Sequence, residues 1–319
     1  MTGNLVTPAT APVRHLADLA RFAVRRRSIE RHDAQALAEL ERRPLELPAG
    51  LSVTWLGVAG FLLTLEGHTL VIDPYLSRIS FREFLRRRPA LPDRFLVERT
   101  LAGAGEVVGV VAGHTHFDHA LDVPEVSERS GCRAYGSRSL VRLMDAHGMA
   151  GRAKEVRPLD RIEVGPFAVT FVPSRHSRVV LGLRVPMDGE ITAREVAALH
   201  PRAYRCGRVW AFLIEVAGAT LYHQGSADLV DDAVPGGGVD VFLAGVAGRE
   251  FTPDYWPRIL PRLDPAQVVV CHHDDFFRPL DAPLAFAPNV RVASVPDEVA
   301  AVARGVRVLA LPRVGPSAA

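Results

Sequence analysis

The chain has 319 residues, of which 48% are hydrophobic and 23% charged. That composition excludes a disordered tail and a small disulfide scaffold, and the length fits one large or two ordinary domains. The 38 basic and 36 acidic residues nearly cancel at +2, so net charge makes no case for a nucleic-acid or membrane partner. Lys154 is the only lysine, so the basic residues are almost all arginine, and there are 12 histidines.

The first dozen residues lack a basic stretch followed by an apolar one, so no secretory signal is expected. No window approaches 18 apolar residues, so no bilayer span is expected. Cys132, Cys206 and Cys271 are odd in number and far apart, which argues against a disulfide framework and for a reduced, cytoplasmic protein. Residues 13–43 read as a helix: Leu16, Leu19, Ala20, Ala23, Leu37 and Leu40 recur at near-helical spacing and Pro44 stops the pattern. Arg25, Arg26 and Arg27 make it locally basic, either as a solvated face or as a peripheral membrane contact. Residues 1–50 are therefore expected to form an N-terminal helical extension.

Short β-rich runs follow at 51–56, 61–65, 69–72, 107–112, 167–173, 209–216, 220–222, 239–244 and 267–271, with helical patterns at 137–147 and 191–199. The alternation implies α/β sheets covered by helices. Residues 61–70 can be laid on 212–221, with Phe, Leu, Gly, Thr and Leu coinciding. Each stretch reads as a hairpin, so two similar halves are expected to face one another.

The strongest chemical signal is His114-Thr115-His116-Phe117-Asp118-His119, delivered by the apolar run 107–112 and Gly113. Imidazole and carboxylate are ligands that borderline divalent metals take at neutral pH. Alternation puts His114 and His116 on one side, and Asp118 and His119 on the other as a helix begins, a geometry suited to two adjacent ions. Further candidates follow other apolar runs: His176, then His223 and Asp228, then His272, His273, Asp274 and Asp275. The C-terminal ends of strands are where α/β sheets place their sites.

With Gly57-Val58-Ala59-Gly60-Phe61 and Asp73-Pro74-Tyr75, this pattern resembles the metallo-β-lactamase fold superfamily of metal-dependent hydrolases over about residues 51–311. The branch it most resembles includes ascorbate-6-phosphate lactonase and N-acylphosphatidylethanolamine phospholipase D. The resemblance implies a four-layer αββα sandwich at 51–319, with the site at one edge of the two sheets. It implies that His114, His116 and His176 hold one metal ion, that Asp118, His119 and His272 hold a second, and that Asp228 bridges them. In related lactonases the bridging Asp directly follows a Gly, whereas Ser226 and Ala227 separate Gly225 from Asp228 here. His273 competes with His272, since alternation lets only one face the site. Two divalent ions are implied, zinc foremost, with manganese or iron also compatible.

The expected reaction is hydrolysis of a phosphodiester, lactone or other ester by water activated between the ions, with Asp118 as the catalytic residue that orients it. Ser174, Ser177 and Ser226 lack the setting of a nucleophilic triad. Residues 181–208 read as a long lid bearing Arg184, Arg194, Arg202, Arg205 and Arg208, suited to an anionic small-molecule or lipid-like substrate. Tyr204 and Arg205 are the expected substrate contacts. His223 is expected as a substrate contact or as support behind the ligands, and Asp73 as a ligand orienter or turn residue. His15, His32, His68, His147 and His200 read as ordinary. A nuclease of the same fold is disfavoured by the near-neutral charge, and a non-catalytic protein by the nearly full ligand set.

Overall fold

The computed structural model describes residues 11–315. The expectation about the first ten residues lies outside them. The chain opens on a long helix, α1 (Ala11–Glu41). One sheet then runs in chain order through β1 (Leu51–Gly57), β2 (Gly60–Leu65), β3 (His68–Ile72), β4 (Glu106–Val111), β5 (Ala134–Gly136) and β6 (Ala153–Glu155). Its helices are α2 (Phe81–Leu85), α3 (Arg94–Leu101), α4 (Phe117–Ala120), α5 (Val123–Ser130) and α6 (Arg138–Ala146).

The second sheet contains β7 (Arg161–Val164), β8 (Phe167–Arg175), β9 (Trp210–Val216), β10 (Ala219–Gln224), β11 (Asp228–Leu229), β12 (Val239–Gly245), β13 (Pro265–Cys271) and β14 (Arg307–Ala310). Its order is β11-β8-β9-β10-β12-β13-β14, with β7 beside β8. Helices α7 (Tyr255–Leu263) and α8 (Val295–Ala300) pack outside it.

Period-two alternation builds four layers. Phe61, Leu63 and Val111 from the first sheet meet Phe171, Phe212, Leu221, Val241 and Val269 from the second in one core between the sheets. The alternate residues face outward: Leu62 and Val110 pack with Val126, Leu140 and Leu143, while Phe242 and Val268 pack with Trp256, Ile259 and Val299. The architecture is therefore the expected αββα sandwich with an N-terminal helix. Leu37 and Leu40 of α1 are buried in the outer core of the second sheet, and Arg43 Nη1 donates to the Val308 carbonyl at 2.7 Å. Arg25, Arg26 and Arg27 are exposed.

The matched hairpins are real. β2–β3 and β9–β10 are antiparallel pairs closed by two-residue turns, Glu66-Gly67 and Ala217-Gly218, all four residues at positive φ. The expected helix at 191–199 does not form. Only one 3-10 turn, Val196–Ala198, appears, because Ile191 and Leu199 are anchored separately. Ile191 is held through Ser139 and Arg142, and the Leu199 carbonyl accepts the Ala90 N–H.

Candidate metal centre

β4 hands the chain to Gly113 and then to the histidine motif. Three outside groups fix this turn: Gly113 N donates to Asp73 Oδ1 at 2.6 Å, Trp210 N to the Gly113 carbonyl at 2.7 Å, and Thr115 Oγ1 to the Arg205 carbonyl at 2.6 Å. His116 is still extended (φ −63°, ψ 154°) and α4 begins at Phe117. The change from extended to helical backbone turns Asp118 and His119 away from the side taken by His114 and His116. His176 arrives directly after β8, and His272 directly after β13 at φ 56°. The His272 N–H donates to the Val58 carbonyl at 2.7 Å, Val58 N to Asp274 Oδ1 at 2.8 Å, and buried Arg78 pairs with Asp274 Oδ2 at 2.8 Å. Gly57, at φ 96°, leaves room for that arginine: a Cβ there would lie 2.1 Å from Arg78 Nη2.

Two donor triads result. His114, His116 and His176 form one, Asp118, His119 and His272 the other, and in each the donor atoms lie within 4.8 Å of one another. The protein occupies one ring nitrogen on three of the histidines. His116 Nε2 donates to the Pro186 carbonyl at 2.8 Å, His176 Nδ1 to the Ser177 carbonyl at 2.7 Å, and His119 Nδ1 to Asp73 Oδ2 at 2.8 Å. This leaves His116 Nδ1, His176 Nε2 and His119 Nε2 as lone-pair donors, the arrangement that orients metal-binding imidazoles. His114 Nε2 and His116 Nδ1 are 3.0 Å apart. Donors about 2.0–2.1 Å from a tetrahedral zinc ion would be separated by about 3.3 Å. The donor set and its convergence thus fit a divalent cation in each triad.

Electrostatics agree with that fit. Burial, reinforced by neighbouring rings, lowers His114 well below the ordinary imidazole range, His116 to about 4 and His176 to about 3, so these rings are neutral at pH 7. Burial opposes ionisation of Asp118, yet His119 and then His272 outweigh it and keep the carboxyl far below the usual range. Burial opposes a proton on His119 as well, but Asp118 and Asp73 raise its pKa, and a bound cation would displace that proton.

The structure places four further expected site residues outside the triads. Asp228 does not reach the triads: it lies in β11 opposite Arg175, its Oδ1 accepts the Leu229 N–H at 2.8 Å, and Arg258 Nη1 is 3.7 Å away. His223 lies within β10. Alternation along β10 turns it inward with Leu221, where it is fully buried against Phe212 with Nε2 2.9 Å from the Ala59 carbonyl. Tyr204 is also fully buried, in the helix-side core of the first sheet, with its hydroxyl donating to the Ala90 carbonyl at 2.8 Å. Arg205 braces the motif through its carbonyl, while its side chain lies at the surface with Nη1 3.3 Å from the Asp188 carbonyl.

The expected orienter, Asp73, takes that place beside His119. His272 joins Asp118, with Nε2 3.5 Å from Oδ2, whereas His273 packs tilted against Trp55 and is in neither triad. The 181–208 segment reaches the site through Pro186. Sequence reasoning missed Pro186, the Arg78–Asp274 pair and the aromatic wall of Phe276, Phe277, Phe84 and Phe81. The run Phe276-Phe277 just after the last histidines was the available signal for that wall.

A family model described as "Beta-lactamase superfamily domain" matches residues 52–272. The chain is 31% identical to a "UPF0173 metal-dependent hydrolase" of Anaeromyxobacter sp. (strain K) over 274 residues, 81% of this chain and 83% of that protein. It is 26% identical to one of Methanosarcina mazei over 184 residues, 58% of this chain and 64% of the other. The metallo-beta-lactamase fold protein YhfI from Bacillus subtilis superposes with TM-score 0.50 at 14% identity, covering 83% of this chain and 97% of its own. CmlA, a diiron beta-hydroxylase from Streptomyces venezuelae, gives 0.53 at 15% identity, covering 84% and 53%. The two structures share the fold. The chain belongs to the beta-lactamase superfamily and, within it, to the UPF0173 metal-dependent hydrolases.

Proposed function

We propose that the chain hydrolyses a phosphodiester, lactone or other ester in a small-molecule substrate of anionic or lipid-like character, using two divalent ions, zinc foremost and manganese or iron as alternatives. The observation that carries this reading is the pair of adjoining triads, whose His114 and His119 rings lie 3.8 Å apart between centroids. Divalent ions held there would lower the pKa of water toward about 7 and draw charge from the scissile centre. His114, His116 and His176 would hold one ion, and Asp118, His119 and His272 the other.

Asp118, kept ionised by its two ring neighbours, orients a water and accepts its proton at the carboxylate. The segment around Pro186 covers His116 and screens the centre from solvent. Phe276 lies 6.1 Å from His272 and packs against Phe277, which meets Phe84 and exposed Phe81. That aromatic path from the triads to the surface favours a substrate with an apolar part.

Elemental analysis of gently purified protein is expected to give about two ions per chain. His116→Ala is expected to lose metal together with turnover of bis-p-nitrophenyl phosphate or of a lactone panel. No metal after growth in supplemented medium, or undiminished turnover by the variant, would defeat the reading.

A further inference from the structure

The two triads adjoin: the rings of His114 and His119 are 3.8 Å apart between centroids. Ions in both would therefore be near neighbours, and two dications repel four times as strongly as two unit charges at the same separation. A shared anionic ligand is the ordinary relief for such repulsion. Among the described residues, no carboxylate is placed to be shared. Asp118 lies in the second triad. Asp73 is engaged with Gly113 N and His119 Nδ1, and Asp228 with Leu229 N and Arg258.

The backbone step between the triads is Gly225-Ser226. A Cβ on Gly225 would lie 3.1 Å from His119 Cε1, and Ser226 Oγ accepts the N–H of Ser177, next to His176, at 3.3 Å. The side chain this step carries beside the triads is thus a neutral hydroxyl, with no charge to share. The donors supply one negative charge, from Asp118, against four positive charges on two divalent ions.

We infer that the centre binds its two ions unequally, one tightly and one weakly, and that an oxyanion from solution supplies the missing shared charge, so that anion binding and loading of the second ion are coupled. The inference rests on the two-ion reading above and names what completes it: a phosphonate, phosphate or carboxylate group, the chemistry an anionic substrate would bring. Coupling of this kind is reciprocal, so the second ion tightens the anion as much as the anion tightens the ion.

The test is competition titration of metal-stripped protein with zinc ions, with and without phenylphosphonate. Without phenylphosphonate, one equivalent is expected to bind at least about a hundredfold more tightly than the next. Saturating phenylphosphonate is expected to tighten the second equivalent about tenfold or more, within the usual range of coupling between sites. Ser226→Asp should give two tight equivalents without phenylphosphonate and abolish its effect. Asp228→Asn should titrate like the parent.

Two equally tight equivalents in the parent, no response to phenylphosphonate, or loss of an equivalent in Asp228→Asn would each overturn the inference while leaving the two-ion reading standing. No bound zinc at all would overturn that reading instead. If Ser226→Asp does not fold, the parent titrations alone decide.

Discussion

Asp73→Asn isolates the contribution of a residue that touches one of the triad rings, His119, from behind. Asp73 is fully buried, and each of its oxygens accepts one hydrogen bond, Oδ1 from the Gly113 N–H at 2.6 Å and Oδ2 from the His119 Nδ1–H at 2.8 Å. Asparagine keeps the shape and tolerates the backbone at φ 43°, so the fold is not the variable. It has one acceptor for two donors. If its oxygen stays on Gly113, its amide faces Nδ1 and drives the proton to His119 Nε2, the nitrogen that must be bare to bind metal. If the oxygen turns to His119, buried Gly113 N–H is orphaned, at about 1–3 kcal/mol. Loss of such a partner typically weakens metal binding about 10–100-fold, equivalent to about 1.4–2.7 kcal/mol. The weakening should appear on one zinc equivalent, since in the other triad His116 and His176 are oriented by the Pro186 and Ser177 carbonyls instead. Zinc competition titration reads both equivalents in one experiment. Unchanged affinities, or equal weakening of both, would refute the claim that Asp73 sets the tautomer of His119.

Glu298 accepts from Arg249 through both oxygens, at 2.8 and 2.9 Å, and burial opposes its charge, but the Arg249 bonds outweigh that and lower its pKa from 4.5 to about 2. Its contribution is fully present above the unfolded pKa and is lost as pH falls through the folded one. Glu298→Gln should therefore cost roughly 1–2 kcal/mol near pH 7, allowing for solvent screening, and the gap should narrow by about pH 3.5; urea unfolding at both pH values checks this. Tyr204→Phe should cost about 1 kcal/mol by orphaning the Ala90 carbonyl, with turnover unchanged on the substrate panel. A selective loss of turnover would restore Tyr204 as a substrate contact. Leu37 and Leu40 are core residues, so charge reversal of Arg25, Arg26 and Arg27, not removal of α1, is the test of membrane contact. Loss of sedimentation with phosphatidylserine vesicles is expected if the helix docks there, and equal sedimentation of variant and parent excludes it.

The triad residues were legible because an apolar strand delivers His114, His176 and His272 at its end, and the histidine motif after β4 carries Asp118 and His119 into α4. The run 107–112 announces His114, and the run 267–271 announces His272. What alternation alone does not settle is the exact length of a strand. β10 extends through Gln224, two residues past the expected run, and that shift turns His223 into the core between the sheets. A short extra strand, β11, then carries Asp228 to β8 and away from the triads. Tyr204 was misplaced for a related reason: in a long irregular segment no periodicity reports which side chain faces inward. Pro186 was invisible because it acts through a backbone carbonyl, which any residue possesses.

The internal match between 61–70 and 212–221 had a consequence beyond topology. Phe61 and Phe212, equivalent in the two hairpins, both pack on His223, one edge-on at 5.7 Å and the other stacked at 5.6 Å. His223 in turn holds the Ala59 carbonyl, next to Val58, whose backbone grips His272 N and Asp274. Both halves of the sandwich therefore converge on the loop that positions His272. The support of His272 is built from strand cores, while the Pro186 cover belongs to an irregular segment. Substitutions between 181 and 208 that spare Pro186 and the buried anchors should accordingly change substrate preference and leave zinc stoichiometry alone. Substitutions at Phe61 or Phe212 should do the reverse, weakening metal binding with no direct contact to it.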